Sequence, residues 1–423
     1  MNNLGQKIAA AFKDPILRKR VGFTVLALVL FRLLATIPIP GVDAANLNTL
    51  LNSSQFFGFL NIFSGGGLSN LSIVMLGVGP FITASIVIQL LTMMFPKWKA
   101  LMHEEGEAGR LKLSNYSRLL SIPLAVLSAV GFMTLLQSQN VLPQLDTFAY
   151  IVNVLVITCG ATLLMWIGEL ISEFGIGNGV SLIIFAGIVS VLPDNVTQFI
   201  AGYNAADIPV YVAGLVIGLV VIAGVVYVTE AERSVPVTYA KQVRGNKVYG
   251  GASTYLPLRL NQAGVIPIIF ALSILLFPQI ISNFLSHVSN VTVAYYATLF
   301  TTFFNNPWVY GGFYFILVVA FTYFYTAVTF DPKQISENLQ RSGAFIPGVR
   351  PGDHTRDHLA SIVTRITLVG ALFLGIVAIL PLVMQAFTSN QSLAIGGTAL
   401  LIVVSVVLDL LKKVDAQVSM REY

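Results

Sequence analysis

The sequence predicts an all-α, polytopic membrane protein. Three observations carry that expectation: the composition, the recurrence of apolar runs and the placement of the basic residues. Of 423 residues, 56% are hydrophobic and 10% charged, against roughly 25% charged in soluble domains. Most side chains must therefore face lipid or other apolar chain. Apolar runs approaching the roughly 20 helical residues that a hydrocarbon core requires recur along the whole length. Lys and Arg gather in every second connection between them, the pattern of loops retained on the cytoplasmic side.

Taken in order, about ten spans are expected, near 21–37, 68–95, 119–137, 150–170, 179–193, 209–228, 262–285, 307–330, 362–385 and 395–411. Lys7, Lys13, Arg18, Lys19 and Arg20 precede the first run in the manner of a signal peptide. That run ends in TIPIPG instead of a small-residue cleavage site, so it is expected to remain as the first span. The second span is broken. In SGGGLSNLSIVMLGVGPFITASIVIQLL, residues 64–91, the residues Gly77, Gly79 and Pro80 divide a short piece from a longer one. A break frees backbone groups that only buried protein or a watery cavity can satisfy. The segment reads either as a Pro-kinked packing helix or as part of a pathway.

The basic residues test this count. Lys97, Lys99, Arg110, Lys112 and Arg118 follow the second span, and Arg233, Lys241, Arg244, Lys247 and Arg259 follow the sixth. Lys333, Arg341, Arg350 and Arg356 follow the eighth, and Lys412, Lys413 and Arg421 the tenth. Odd-numbered loops contain neither Lys nor Arg, only Asp43, Asp146, Asp194 and Asp207. Both termini are therefore expected on the cytoplasmic face of the cell membrane. Two of the basic loops are long. Within 229–261, SVPVTYA and NKVYGG flank the turn-like VRGN, which reads as a β-hairpin with a basic tip. Within 331–361, FDPKQISENLQRSG reads as a short amphipathic helix followed by AFIPGVRPGD. A solvated loop explains the charge; a partner-docking surface would also explain the length and the apolar Phe345, Ile346 and Val349.

Chemistry is mostly absent from the sequence. There is no GxxxxGK[ST], HExxH or GxSxG pattern, and no catalytic residue, metal or cofactor is expected. His354 and His358, four apart, read as part of a polar turn more readily than as metal ligands. GIGNGV at 175–180 lacks the strand and third glycine of a phosphate loop and reads as the stop of one helix and the start of the next. The one cysteine, Cys159, falls in an apolar run and reads as a small hydrophobe. Ion-coupled carriers retain charged groups at the midplane, whereas here only Arg32, Glu169 and Asp409 lie within or beside spans. A pathway in this chain would be closed by apolar side chains that exclude water.

Six segments carry a family resemblance: SGGGLSNLSIVMLGVGPFITASIVIQLL, HEEGEAGRLKLSNYSR, GELISEFGIGNGVSLIIFAGIV, NQAGVIPIIFA, SGAFIPGVRPG and GGTALLIVV. In order and spacing they resemble the SecY/Sec61-alpha family, the pore subunits of protein-translocation channels. The resemblance implies two inverted five-helix halves, 1–192 and 209–411, an external hinge at 193–208 and a cytoplasmic tail at 412–423. It implies a short plug helix over 65–76, with Gly65, Gly66, Leu68, Leu71, Ile73 and Met75. A hydrophobic pore ring is implied at Val78, Ile82, Val180, Ile184, Ile269 and Ile402. Thr83, Ser85, Gln89 and Gln262 would belong to a lateral gate between span two and spans seven and eight. Arg350, Lys241, Arg244 and Lys247 would dock partners. The implied function is passage of unfolded secretory polypeptides across the membrane, with sideways release of transmembrane helices into membrane lipids. Implied partners are SecE, SecG, the ATPase SecA, the ribosome, signal sequences and the unfolded clients. A secondary transporter of a small solute is the alternative, because it too uses inverted repeats and broken helices. An intramembrane enzyme ranks third.

Overall fold

A computed structural model of the chain describes residues 14–40, 61, 64, 66–68, 70–95, 97–98, 101, 106–138, 142, 145–201, 208–239, 242–244, 247–249, 253–262, 264, 266–285, 291–304, 306–388 and 391–419. Nine of the ten expected spans fall on helices over most of their length, and the second, 68–95, is helical only over Gly79–Met94. They are α1 (Pro15–Ala35), α2 (Gly79–Met94), α3 (Gly106–Ser138), α4 (Thr147–Phe174), α5 (Gly179–Ala201) and α6 (Ile208–Glu230) in the first part of the chain. After a strand-rich connection come α7 (Ile266–Leu285), α8 (Val291–Phe304), α9 (Pro307–Thr329), α10 (Pro332–Arg341), α11 (Asp353–Thr388) and α12 (Gln391–Ser419). Among the described residues, four stretches are long and apolar enough to cross a membrane: Gly106–Thr134, Thr147–Phe174, Pro307–Arg341 and Asp353–Leu380. Shorter apolar helices complete the bundle.

Local chemistry explains where several helices begin. Asp14 caps α1, accepting from the Ile16 amide at 2.9 Å, and Pro15 occupies the first turn, where a missing N–H costs nothing. Asn306 with Pro307 and Asp331 with Pro332 repeat the arrangement at α9 and α10. Pro80 lies in the first turn of α2, so it starts that helix and does not kink it. α5 continues through Pro193 to Ala201, further than the expected span. Short α8, rich in Thr, Tyr and Phe, was not anticipated; it is tied to α7 by the Ser282 hydroxyl, which donates to the Ala297 carbonyl at 2.7 Å.

One hydrophobic core joins residues of α1 to α7 with those of α9, α11 and α12. A second, smaller one lies in the basic loops. There β1 (Glu232–Tyr239) pairs antiparallel with β4 (Ser253–Arg259), while β2 (Gln242–Arg244) and β3 (Lys247–Tyr249) form a separate small hairpin at the tip. The expected pairing of SVPVTYA with NKVYGG is thus corrected. The alternation of Leu256 and Leu258 matches that of Val235 and Val237, whereas the apolar content of NKVYGG ends at Gly250. β5 (Ala344–Phe345) then adds to the other edge of β1, with Thr238 opposite Phe345 and Tyr239 opposite Ala344. Ile346 is buried and Val349 packs on the same small core, together with Ile335 and Leu339 from amphipathic α10. Ile346 and Val349 therefore hold this loop to the small core, while Phe345 on β5 is only half-buried.

The β1–β5 pairing has a direct test. Ala344→Pro removes a strand donor, and losing one such hydrogen bond should raise tryptic cleavage after Arg341, just before β5, roughly five- to tenfold through local opening. Unchanged cleavage kinetics on the purified protein would show that the sheet does not hold the loop.

Candidate functional site

The centre of the bundle holds a non-helical segment. Among the described residues, 66–68 and 70–78 run through consecutive turns, with i to i−3 bonds from Leu71 to Leu68, Met75 to Ser72 and Gly77 to Val74. The helix expected over 65–76 is replaced by this path for a local reason. Gly66 and Gly77 adopt φ of 76° and 58°, and Leu71 is left-handed at 45°, which no regular right-handed helix accommodates. Leu68, Leu71 and Met75 are buried, Gly66 is enclosed and Ile73 is half-buried; Gly65 lies outside the described residues. The segment is sewn to the end of α1 by the Ile39 amide donating to Leu71 O at 2.8 Å and the Ile73 amide donating to Ile37 O at 3.0 Å. α4 approaches so closely at Gly160 that a Cβ there would overlap the Ile73 carbonyl. Arg32 of α1 reaches the same segment, its Nη1 only 3.3 Å from where a Cβ on Gly66 would stand.

Above this segment, toward the basic loops, lies a cavity of about 200 Å³. Ile82 from α2, Val180 and Ile184 from α5 and Ile269 from α7 all line it, so four of the six expected ring residues converge. Val78 and Ile402 are buried in the same core but do not line that cavity. Val78 caps α2, and its carbonyl accepts from the Ile82 amide at 3.1 Å, so the expected i, i+4 relation is realised despite Pro80. Of the gate candidates, Ser85 and Gln89 line the cavity, and Thr83 donates back to Gly79 O on its own helix.

A second, polar cavity of about 270 Å³ shares Asn178, Ser181, Ile266 and Tyr325 with the first. Gln262, Asn261 and Ser405 face it, with Arg259, Asp409, Lys412 and Lys413 at the end that carries the basic loops. Lys413 pairs with Asp409 at 2.8 Å, and Lys412 pairs with Glu230 at 2.9 Å while donating to Thr229 O. Glu169 is likewise engaged, by Arg118 at 2.5 Å. The whole is a polar vestibule narrowing onto aliphatic side chains. The aliphatic side chains of Ile82, Val180, Ile184 and Ile269 offer no hydrogen-bond partner of their own, and a constriction built of such side chains excludes water by dewetting.

The docking candidates divide. Arg350 is exposed on a loop turned by Gly348 and Gly352, at φ of 85° and 96°, and no described carboxylate pairs with it. Arg356, by contrast, is held by Asp353 and Asp357, each at 2.8 Å. Arg244 and Lys247 stand on β2 and β3 at the tip of the sheet; Lys241 lies outside the described residues.

A family model described as SecY matches residues 72–411. The protein translocase subunit SecY of Mycobacterium bovis is 40% identical over 427 residues, covering 96% of each chain. This chain belongs to the SecY family. Two solved structures share the SecY-type fold. One is a SecY protein whose plug domain is described as stabilising the closed state of the translocation channel and maintaining a membrane seal (TM-score 0.65, 21% identity, 95% of this chain and 92% of that one). The other is Sec61 in the canine ribosome-channel complex from the endoplasmic reticulum (TM-score 0.60, 18% identity, 95% and 92%). The chain is thus an all-α, multi-pass membrane protein and a subunit of a protein translocation channel.

Sequence reasoning missed part of the vestibule of this SecY-family chain. Asn178 was legible only as a helix boundary, and it does cap α5, accepting from Val180 and Ser181 amides at 3.1 and 3.3 Å. Its place in both cavity walls, like that of Tyr325, had no signal in the sequence, because an isolated polar residue in or beside an apolar helix does not reveal which neighbour it faces. The tight seat of the central segment yields a prediction. Gly160→Val should push Ile73 and its neighbours out of place and raise resting ion conductance in planar bilayers while α4 stays helical; a channel as ion-tight as wild type would show that this contact does not hold the segment.

Proposed function

We propose that the chain forms the pore through which unfolded polypeptides cross the cytoplasmic membrane. The convergence of Ile82, Val180, Ile184 and Ile269 on one cavity beneath a polar vestibule carries this reading. Val78 and Ile402 extend the ring from the surrounding core, and residues 65–76 are the plug beneath it. The basic loops and both termini face the cytoplasm, in keeping with the one-sided Lys and Arg. The vestibule then opens inward and the plug seals the outer side.

A client enters the vestibule as an extended chain, displaces the plug and passes the aliphatic ring, which packs around it without selecting a sequence. Apolar client helices leave sideways between α2 and α7, past Thr83, Ser85, Gln89 and Gln262, as the two halves part about the connection between α5 and α6; the hinge expected over 193–208 is helix as far as Ala201. Neither step uses chemical energy of the chain's own, so the drive comes from partners: SecA for secreted chains and the ribosome for membrane proteins, with SecE and SecG as membrane subunits. The joined loops 229–261 and 331–361 form one platform for them. The canine Sec61 neighbour, described in a ribosome complex, favours that use of the platform.

Reconstitution with SecE and SecA tests the reading: ATP-dependent preprotein uptake is expected, and uptake of small solutes without preprotein would overturn it. Within that system, Ile82→Asn combined with Ile184→Asn should raise resting ion conductance and admit clients with weak signal sequences. Channels as ion-tight as wild type would remove these residues from the constriction.

Arg350→Glu should leave the channel folded and bound to SecE yet abolish most SecA-driven uptake, because a planar guanidinium held away from its own carboxylates is replaced by a repelling charge. Arg356→Glu, at a site already neutralised by Asp353 and Asp357, should be milder on partner coupling. Equal losses at the two positions, measured in vesicles with equal amounts of each variant, would reduce the effect to net loop charge.

A further inference from the structure

Two side-chain oxygens near the seam of α2 and α7 are buried with no donor among the described residues: Gln89 Oε1 and Asn261 Oδ1. α2 packs directly on α7. Gln89 lies near the C-terminal end of α2, and Asn261 stands just before α7, so both occupy the end that carries the basic loops. Gln89 lines the apolar cavity and Asn261 the vestibule that shares its wall. Asn261 is fixed in orientation: its Nδ2 donates to the Gly264 carbonyl at 3.1 Å, a position that only the amino end of the amide can take. The leftover atom is therefore an acceptor. A buried acceptor without a donor destabilises the arrangement that buries it, so the shut seam carries a penalty that an arriving donor would relieve.

Helices bring such donors. The first four N–H groups of any helix lack an intrahelical partner, and in a membrane interior they must find one. A client helix with its N-terminus toward the basic loops would place those groups beside Gln89 and Asn261. The reverse orientation would bring its C-terminal carbonyls against two more acceptors. Cationic side chains are poorer candidates, because Arg259, Lys412 and Lys413 already rim the vestibule.

We propose that Gln89 and Asn261 cap, in trans, the first turn of an apolar client helix lodged between α2 and α7. The pair thus reads a helix N-terminus and its orientation instead of a side-chain sequence. This inference rests on the reading of the α2–α7 seam as the lateral exit.

The test uses the full channel with its partner subunits and two clients that share one apolar helix, the first with Ser at its N-cap and the second with Ala. Insertion of both is measured in vesicles holding equal amounts of wild type, Gln89→Met, Asn261→Leu or the double variant. The ratio of Ser-capped to Ala-capped insertion should rise about fivefold for each substitution, the worth of one N-cap hydrogen bond. Gln89→Met is close in shape to the native side chain and stands as the test even where Asn261→Leu disturbs the start of α7. An unchanged ratio overturns the proposal, as does an equal loss for both clients, which would make these residues seam packing alone. Wild-type vesicles that accept neither client would instead sink the lateral-exit reading and this one with it, an outcome distinct from an unchanged ratio.

Discussion

The structure depends on satisfying an irregular backbone at the centre of an apolar bundle. A helix or closed barrel meets its own hydrogen bonds in lipid, and any other path must find partners in buried protein or water. Residues 66–68 and 70–78 find several of theirs in their own turns and in Ile37 and Ile39 just after α1. That solution dictates neighbouring residues. Left-handed glycines are required at 66 and 77, where another residue would be strained. Gly160 must lack a side chain for α4 to close over Ile73, and Gly179 must lack one where α5 starts against the Gly168 carbonyl. The connection between α4 and α5 is anchored in turn to α1, since the Ile176 amide donates to Thr24 Oγ1 at 3.2 Å. α1, α4 and α5 thus form a frame around the segment.

At the other end of the molecule a different constraint applies. Two long loops, separated by α7 to α9 in sequence, are joined by the pairing of β5 with β1 and by a shared apolar core. A partner that moves one loop therefore loads the other, and through α10 and the first turns of α11 it loads the helices beneath. The Ser336 hydroxyl, donating to Gly352 O at 2.6 Å, fastens α10 to the turn that precedes α11. Rigidity here would serve the docking role proposed for the exposed Arg350, because a group on a loose loop would lose conformational entropy when it was engaged.

What the sequence made legible follows from which signals are local. Apolar run length and one-sided basic residues revealed the spans, since both act residue by residue. Asp14–Pro15, Asn306–Pro307 and Asp331–Pro332 begin helices in the structure, a local signal that the reading of spans did not use. The broken second span was also visible, but its form was not: Gly77 and Pro80 announce an interruption, while the left-handed Leu71 depends on contacts from α1 and α4. Strand pairing failed for a related reason. Val235 and Val237 choose Leu256 and Leu258 over the nearer NKVYGG through a buried face that exists only once α10 and α11 cover it. The four convergent ring aliphatics were chosen by family resemblance; no property of a single Val or Ile distinguishes a pore lining from ordinary core.

On the proposed reading of the central segment as a plug, a seal that must open has to be held by a small margin, and the buried centre suits such a margin. Leu68, Val74, Met75 and Leu76 are buried there, and removing each from water favours the sealed arrangement by about 1.5–3 kcal/mol. Against this stand the left-handed Leu71, at about 1–3 kcal/mol, and the orphaned oxygens of Ser72, Gln89 and Asn261, at about 1–3 kcal/mol each. The opposing terms are of similar size and differ in kind. Apolar burial is indifferent to which chain supplies the surface, so a client segment can replace the plug in it. The polar penalties are relieved only by donors; none among the described residues meets these oxygens, and an entering polypeptide brings them along its whole backbone. On that reading, opening would exchange one apolar partner for another while relieving the defects of this arrangement, so that a tight resting seal could coexist with a low threshold for a chain of almost any sequence.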